Sequence, residues 1–465
     1  MRHVSHRKYL DAAIIMFAIK RVISGFFDSL KTRTPSQLFW GSDLAISLAH
    51  IALTIVIAAP GFPQIWDDSP NYIAMATGHA DSVTKPFANR IFEPVLAAFL
   101  SNALHLDIGT GFEIIAVISL IGWSLSLVRF WTDCVLTPNY RAIFILLSPI
   151  LLVAFQEIYI PDMLHMAAIA LFLLAMKQRQ FLIGAGLMTA LITIRETSLI
   201  LAATTAFFLL RDRNIYGAIL IAIATGLGVV IVQHFSANAV NIHQMPELIY
   251  LVLKIPANLL SNVLGIGLWT NSFQWCLDPV FTVSVPSGLN FGQIHQIGFC
   301  APHAPQPLLT AASLTAFGIL PALLLFTLLH KASIAPSQQD TWWLIAFWYG
   351  AIMTLLGPVS GTAVVRLIGY GWPLFLIALP ALLNKNSELV DPTSKMLIGL
   401  HVAALWMPYL ILQIDYSQIP YLNLPNISFS PLASVLCIIV GVATNVFAFR
   451  IMKSVQTRAI NRGDA

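Results

Sequence analysis

The chain has 465 residues, of which 57% are hydrophobic and only 10% charged, with a formal net charge of +4 at pH 7. A soluble protein carries about 25% charged residues, so this composition indicates an all-α, polytopic membrane protein. It excludes a soluble domain of normal size, and no basic domain supports nucleic-acid binding.

Residues 1–43 precede the first long apolar stretch and are rich in arginine and lysine. Their own apolar run, Ala12 to Ile19, is too short to cross about 30 Å of hydrocarbon. We therefore expect an amphipathic segment on the cytoplasmic surface.

Twelve apolar stretches then predict membrane spans, with ten to thirteen as the range. With the amino terminus inside, nearly all basic residues of the connections fall on the cytoplasmic side, as the positive-inside rule requires. Both termini are then cytoplasmic. The predicted spans are 44–62, 111–131, 142–160, 163–177, 181–195, 197–210, 215–235, 307–330, 341–358, 367–384, 395–414 and 429–449.

Two long outer loops divide the chain. The first, 63–110, lies within an amino-terminal membrane module (44–235) and contains a predicted juxtamembrane helix, Ile91 to Leu104. The second, 236–306, begins with a helix-like run near Met245 to Leu264. A second membrane module (307–450) and a cytoplasmic tail (451–465) follow.

The second outer loop contains Cys276 and Cys300. If the outer side is oxidising, as a bacterial periplasm is, a disulfide between them is expected. Two unpaired thiols are the alternative.

Few basic residues lie on the predicted outer side, where the positive-inside rule disfavours them. We therefore expect these residues to have specific partners, either an anionic ligand or neighbouring carboxylates. These outer basic residues are Lys85, Arg90, Arg195, Lys254 and Arg366.

Asp67 and Asp68 directly follow the first predicted span. A carboxylate at this position is a candidate general base for an acceptor hydroxyl. The two side chains point in different directions on any regular backbone. The second carboxylate is expected to cap a helix starting near Ser69-Pro70, and capping alone is the alternative for both.

The order of several motifs resembles bacterial integral membrane glycosyltransferases of the GT-C superfamily, over roughly residues 44–235. The first motif reads Asp68, Tyr72, Ala74, Ala76, then Pro86, Phe87, Arg90, Glu93-Pro94. The second reads Tyr159-Ile160-Pro161-Asp162 and Ile194-Arg195-Glu196-Thr197.

The resemblance implies a catalytic acid in the first outer loop, with a sugar taken from a polyprenyl-phosphate donor. The acceptor would be a glycan, lipid or protein at the periplasmic face of the bacterial inner membrane. We assign the general base to Asp68 ahead of Asp67. Substrate contacts are expected from Tyr72, Glu157 and Asp162.

Arginine grips phosphate oxygens through two parallel donors. Arg366, which follows the ninth span, is the first candidate for the donor phosphate, and Arg90 and Arg195 are further candidates. For Arg195, pairing with Glu196 or another outer acid is the alternative.

Some relatives bind a divalent metal through acidic motifs in the first two outer loops. This chain has no Asp-x-Asp arrangement there. In such an arrangement two carboxylates two positions apart would chelate the cation. We therefore assign no residues to a metal site, and a divalent metal stays open as an alternative that no Asp-x-Asp motif supports; no other cofactor is assigned. A transporter or flippase of lipid-linked saccharides and an O-antigen ligase-like or polymerase-like transferase remain alternative functions.

Overall fold

The structure is a computed structural model. It describes residues 39–59, 62–63, 65, 68–134, 136, 138–146, 148, 152–239, 247–271, 278–286, 294–300, 305–317, 341–361, 364–385, 406 and 431–461. The predicted amphipathic run Ala12–Ile19 and nearly all of the predicted span 395–414 lie outside these residues.

Within this part of the chain the protein is mostly helical. The amino-terminal helices are α1 (Phe39–Ala58), α2 (Ser69–Ala76), α3 (Phe92–Leu104), α4 (Ile108–Thr132), α5 (Pro138–Leu146), α6 (Leu152–Gln156), α7 (Asp162–Lys177), α8 (Phe181–Ile194), α9 (Ser198–Arg211) and α10 (Ile215–Phe235). The later helices are α11 (Glu247–Leu259), α12 (Pro305–Phe317), α13 (Thr341–Ser360), α14 (Val364–Gly369), α15 (Trp372–Lys385) and α16 (Pro431–Asn461).

The helices pack side by side around one large apolar core. Helix α4 packs on α1, α3 and α7, and α7 also packs on α8 and α13. Helix α10 packs on α8 and α9, whereas α13 contacts α9, α14 and α15. Bulky side chains such as Trp131, Phe172 and Phe375 are fully enclosed, and burial of such rings is the main favourable term in packing.

Four described helical segments are long and apolar enough to cross a membrane: Ile108–Thr132, Ile215–Phe235, Thr341–Ser360 and Val364–Ala381. The chain is thus a helical membrane protein by composition and helix length, whereas the number of twelve spans stays a prediction. The predicted span 142–160 contains two short helices, α5 and α6, rather than one continuous helix.

Helices α8 and α9 have 14 residues each, a length of about 21 Å, which is shorter than the roughly 30 Å of bilayer hydrocarbon. Their connecting turn, Arg195 to Thr197, can therefore lie deeper in the bundle than the ends of the longer helices. This geometry lets charged groups sit inside the end of the helical bundle.

The second outer loop contains the predicted helix, seen as α11 followed by a π-helical turn, Leu260–Leu264. It also contains a small antiparallel sheet that the sequence analysis did not predict, with strands β1 (Leu268–Thr270), β2 (Pro279–Ser284) and β3 (Gln296–Cys300) in the order β1-β3-β2. The β-branched and aromatic side chains of β2 favour this extended conformation.

Cys300, at the end of β3, is disulfide-bonded. Cys134 and Cys437 are not part of a disulfide. Cys276, which the sequence predicts as the partner of Cys300, lies outside the described residues.

A close backbone approach fixes the short connection between α14 and α15. An added Cβ on Gly371 would lie 2.5 Å from the carbonyl oxygen of Gly350 in α13 and would also overlap Thr354. Only glycine fits this contact. The preceding residue, Tyr370, donates its hydroxyl hydrogen bond to Asp162 at the start of α7.

Candidate functional site

Asp68 is the residue immediately before α2, at the position from which a side chain usually caps a helix. Its carboxylate makes no capping hydrogen bond and no other hydrogen bond or ion pair within the described part of the chain. The side chain is half-buried and interacts electrostatically with Arg366 and Glu157. Capping does not account for Asp68, and Asp67 lies outside the described residues.

Arg90 joins the first outer loop to the α8–α9 turn. Its Nε and Nη2 donate to the two carboxylate oxygens of Glu196 at 2.9 and 2.5 Å, and its Nη1 donates to the hydroxyl oxygen of Tyr72 at 2.9 Å. The ring of Tyr72 is fully enclosed. Arg90 is therefore held in a two-pronged ion pair, the geometry in which arginine binds carboxylates most strongly.

The ion pair between Arg90 and Glu196 depends on pH through the ionisation of Glu196. Burial raises the pKa of the Glu196 carboxyl, but Arg90 outweighs burial and the pKa is lowered to about 2. Because 40% of the Glu196 side chain is exposed, solvent screens part of this interaction.

Arg195 is the residue directly after α8, in extended conformation. Its Nη1 donates to Asp162 Oδ1 and, at 2.8 Å, to the hydroxyl oxygen of Tyr370. The Tyr370 hydroxyl in turn donates to the other oxygen of Asp162, and the guanidinium carbon lies 4.6 Å from the Tyr370 ring centroid. Arg195 is thus paired with Asp162 rather than with its neighbour Glu196.

Arg366, in α14, completes the cluster. Its Nη1 donates to Glu157 Oε2 at 2.8 Å, and its Nε lies 3.7 Å from Asp162 Oδ2. Glu157 and Asp162 are fully buried, and the side chain of Arg366 is 15% exposed. The three arginines proposed for phosphate binding therefore converge on neighbouring carboxylates, and we call Arg90, Glu157, Asp162, Arg195, Glu196, Arg366 and Tyr370 the outer charge cluster.

Two donors of the outer charge cluster have no hydrogen-bond partner among the residues that the structure describes. The Nε atoms of Arg195 and Arg366 are both enclosed and unsatisfied, as is the Oε1 atom of Glu157. A buried donor without a partner costs roughly 1–3 kcal/mol. Both Nε atoms are closed off from solvent, so an anionic oxygen would reach them only after neighbouring side chains move.

Lys254 in α11 is a further basic residue near the cluster. Burial and the neighbouring Arg90 lower the pKa of the Lys254 ammonium, and the carboxylates of Glu196 and Asp68 oppose that shift. Helix α11 contacts the carboxyl-terminal end of α13, where Asn258 Nδ2 donates to the carbonyl oxygen of Val359 at 3.0 Å.

Sequence reasoning did not assign Lys254 or Tyr370 to the site. The sequence does point to Lys254, because it is one of the five basic residues on the predicted outer side. Nothing in the sequence points to Tyr370, because its contacts are with residues 175 and 208 positions away in the chain.

Comparison with known proteins gives no family. A scan against protein-family models finds no match, and a search of curated proteins finds none that is significantly similar.

Among the described residues, no group of three or more His, Cys, Asp or Glu side chains is placed to hold a metal ion. Glu157 and Asp162, which the sequence predicts as substrate contacts, each accept a hydrogen bond from a guanidinium group. The arrangement can do two things chemically: accept a proton at Asp68, and stabilise negative charge beside it through arginine and lysine.

Proposed function

We propose that the chain is a membrane glycosyltransferase, which transfers a sugar from a polyprenyl-phosphate carrier to an acceptor hydroxyl at the outer face of a bacterial inner membrane. One observation carries the proposal. Asp68, a half-buried carboxylate that forms no hydrogen bond within the described part of the chain, lies within electrostatic reach of Arg366 and Lys254.

In the proposed reaction Asp68 accepts the proton of the acceptor hydroxyl as its oxygen attacks the anomeric carbon. The bond from that carbon to the phosphate oxygen breaks, and the phosphate leaves on the carrier lipid with the bonding electrons. Attack on the face opposite the phosphate inverts the configuration at the anomeric carbon.

The departing phosphate gains negative charge, so cationic donors beside it stabilise the transition state. Arg366 and Arg195 supply such donors, and in this proposal their side chains shift so that a phosphate oxygen engages the Nε groups that have no partner among the described residues. Lys254 adds a third positive charge on the side of Asp68.

The carboxylates of Glu157 and Asp162 have a supporting role in this scheme. Each fixes one guanidinium through a hydrogen bond and offsets its charge while no anion is bound. Two buried, unpaired guanidinium groups would be far more costly, because an isolated charge loses most of its hydration. The pairs therefore keep the arginines in place between turnovers.

The experiment that tests the proposal uses purified protein in proteoliposomes with a radiolabelled polyprenyl-phosphate sugar and a mixture of acceptors. A transferase forms a new glycosidic bond and releases free polyprenyl phosphate. A flippase moves the labelled lipid to the other leaflet without either product. Movement of intact donor with no release of polyprenyl phosphate contradicts the proposal.

A further inference from the structure

The opposite end of the same helices carries two matching turns. Helix α7 ends at Lys177 and helix α9 at Arg211. In each case the second residue after the helix is an arginine with a left-handed backbone, Arg179 at φ 58° and Arg213 at φ 58°. An amide residue follows each arginine, and then the next helix begins.

Both turns have the hydrogen bonds that ordinarily close a helix around a glycine. The N–H of Gln180 donates to the carbonyl oxygen of Ala175 at 2.9 Å, and that of Asn214 donates to the carbonyl oxygen of Leu209 at 2.8 Å. A residue with a Cβ is strained in this conformation, whereas glycine is not. Backbone preference therefore does not explain an arginine at either position.

The two arginines border one cavity of about 260 Å³. Both are exposed, and within the described part of the chain neither forms a side-chain hydrogen bond or an ion pair. The cavity, which we call the basic cavity, is lined by Met176, Arg179, Phe181, Leu209, Asp212, Arg213, Asn214, Thr341 and Trp342.

The single carboxylate among these lining residues is already engaged. Asp212 Oδ1 accepts hydrogen bonds from Arg211 at 3.2 Å, and its Oδ2 accepts one from the Thr341 hydroxyl. Asn214 is likewise engaged, because its side-chain oxygen accepts from the N–H of Gly217 at 2.9 Å. The charges of Arg179 and Arg213 are thus uncompensated by the lining.

We propose that the basic cavity binds a phosphate-bearing anion through Arg179 and Arg213. Two guanidinium groups that line the same concave surface offer donors that match phosphate oxygens. The anion is either the headgroup of an acidic phospholipid or a free phosphate compound. The site is separate from the outer charge cluster and does not depend on the proposed function.

The positive-inside rule accounts for basic residues at this end of the bundle without any binding site. That rule requires only a positive charge on the cytoplasmic side. An arginine on a helix surface, such as Arg450 in α16, satisfies it as well as an arginine in a turn does. It does not require two arginines in a strained conformation around the same cavity. Arg450 therefore serves as the matched control.

The test uses the full-length protein and the double substitution Arg179→Gly, Arg213→Gly. Glycine relieves the strained backbone, so this variant is expected to fold at least as well as the wild type. If it does not fold, Arg179→Asn with Arg213→Asn replaces it, because asparagine tolerates the same conformation. Arg450→Gln removes one charge elsewhere at the surface.

Two probes distinguish the sources of the anion. Inorganic phosphate is titrated into protein in a non-ionic detergent while the melting temperature is followed, and retention of phosphatidylglycerol over phosphatidylcholine is measured by native mass spectrometry. We expect the wild type and Arg450→Gln to bind one probe, and the double variant to bind it at least about tenfold more weakly.

Stabilisation by inorganic phosphate that the double variant loses supports a soluble phosphate compound as the ligand. Selective loss of phosphatidylglycerol by the double variant supports a lipid headgroup. The proposal is overturned if the wild type binds neither probe, or if the double variant binds as the wild type does.

Discussion

The two ends of the helical bundle use arginine in opposite ways. In the outer charge cluster Arg90, Arg195 and Arg366 are largely buried, and each donates to a carboxylate. Around the basic cavity, Arg179 and Arg213 are exposed and form no ion pair within the described part of the chain. The same residue type is thus fixed by partners at one end and left available at the other.

The difference follows from the cost of burial. A buried guanidinium needs a paired carboxylate because it has lost water, whereas an exposed one remains hydrated and needs none. The outer charge cluster is therefore expected to respond to substitution through stability as well as activity. The basic cavity is expected to respond through ligand binding alone.

The largest expected effect is that of Asp162→Asn. This change leaves the buried Arg195 without its anionic partner, and loss of one partner of a buried pair costs about 3–5 kcal/mol. Chemical unfolding in detergent measures the loss. Arg213→Gly is the matched change at the other end of the bundle. An equal loss of stability in both variants would contradict the proposed difference between the two ends.

A smaller effect is expected from Gly371→Ala. The new methyl group overlaps the Gly350 carbonyl, so α13 and α15 must separate at a cost of about 1–3 kcal/mol, and Tyr370 moves with them. Gly226→Ala in α10 is the control, because an added Cβ there meets no atom within 4 Å. A lower melting temperature in Gly371→Ala alone shows that this contact supports the cluster, and equal melting temperatures contradict it.

The smallest of the stability effects is the pH dependence of the Arg90–Glu196 pair. The folded-state pKa of Glu196 is lowered to about 2 from an ordinary 4.5. The pair's contribution is therefore fully present above pH 4.5 and is lost as the pH falls towards 2. Since Glu196 is partly exposed, we expect at most about 1 kcal/mol.

Melting temperatures of the wild type and Glu196→Gln, measured across this pH range, check the prediction. The difference between the two proteins should shrink as the pH falls. A difference that stays constant or grows would show that Glu196 does not titrate in this way.

Part of this arrangement could be predicted from the sequence. Asp68 before a helix starting at Ser69-Pro70, the helix in the first outer loop and the helix-like run near Met245 to Leu264 follow from local rules, and the structure has α2, α3 and α11 at these places. The topology also singled out the outer arginines as residues that need partners.

The partners themselves could not be predicted. Arg366 reaches Glu157 across 209 residues and Arg90 reaches Glu196 across 106, and no local pattern encodes such distances. Likewise, the contact between Gly350 and Gly371 depends on how two helices approach each other. The sheet of the second outer loop was missed because its strands are short and separated by long connections.

Sugar transfer by Asp68→Asn from a polyprenyl-phosphate donor in proteoliposomes tests the proposed role of Asp68 most directly. Asparagine keeps the shape of the side chain but cannot accept the proton, so kcat should fall by about 10²–10⁴-fold with donor affinity retained. Asp81→Asn, in an exposed position of the same loop, should transfer normally. Normal transfer by Asp68→Asn would contradict the proposed chemistry.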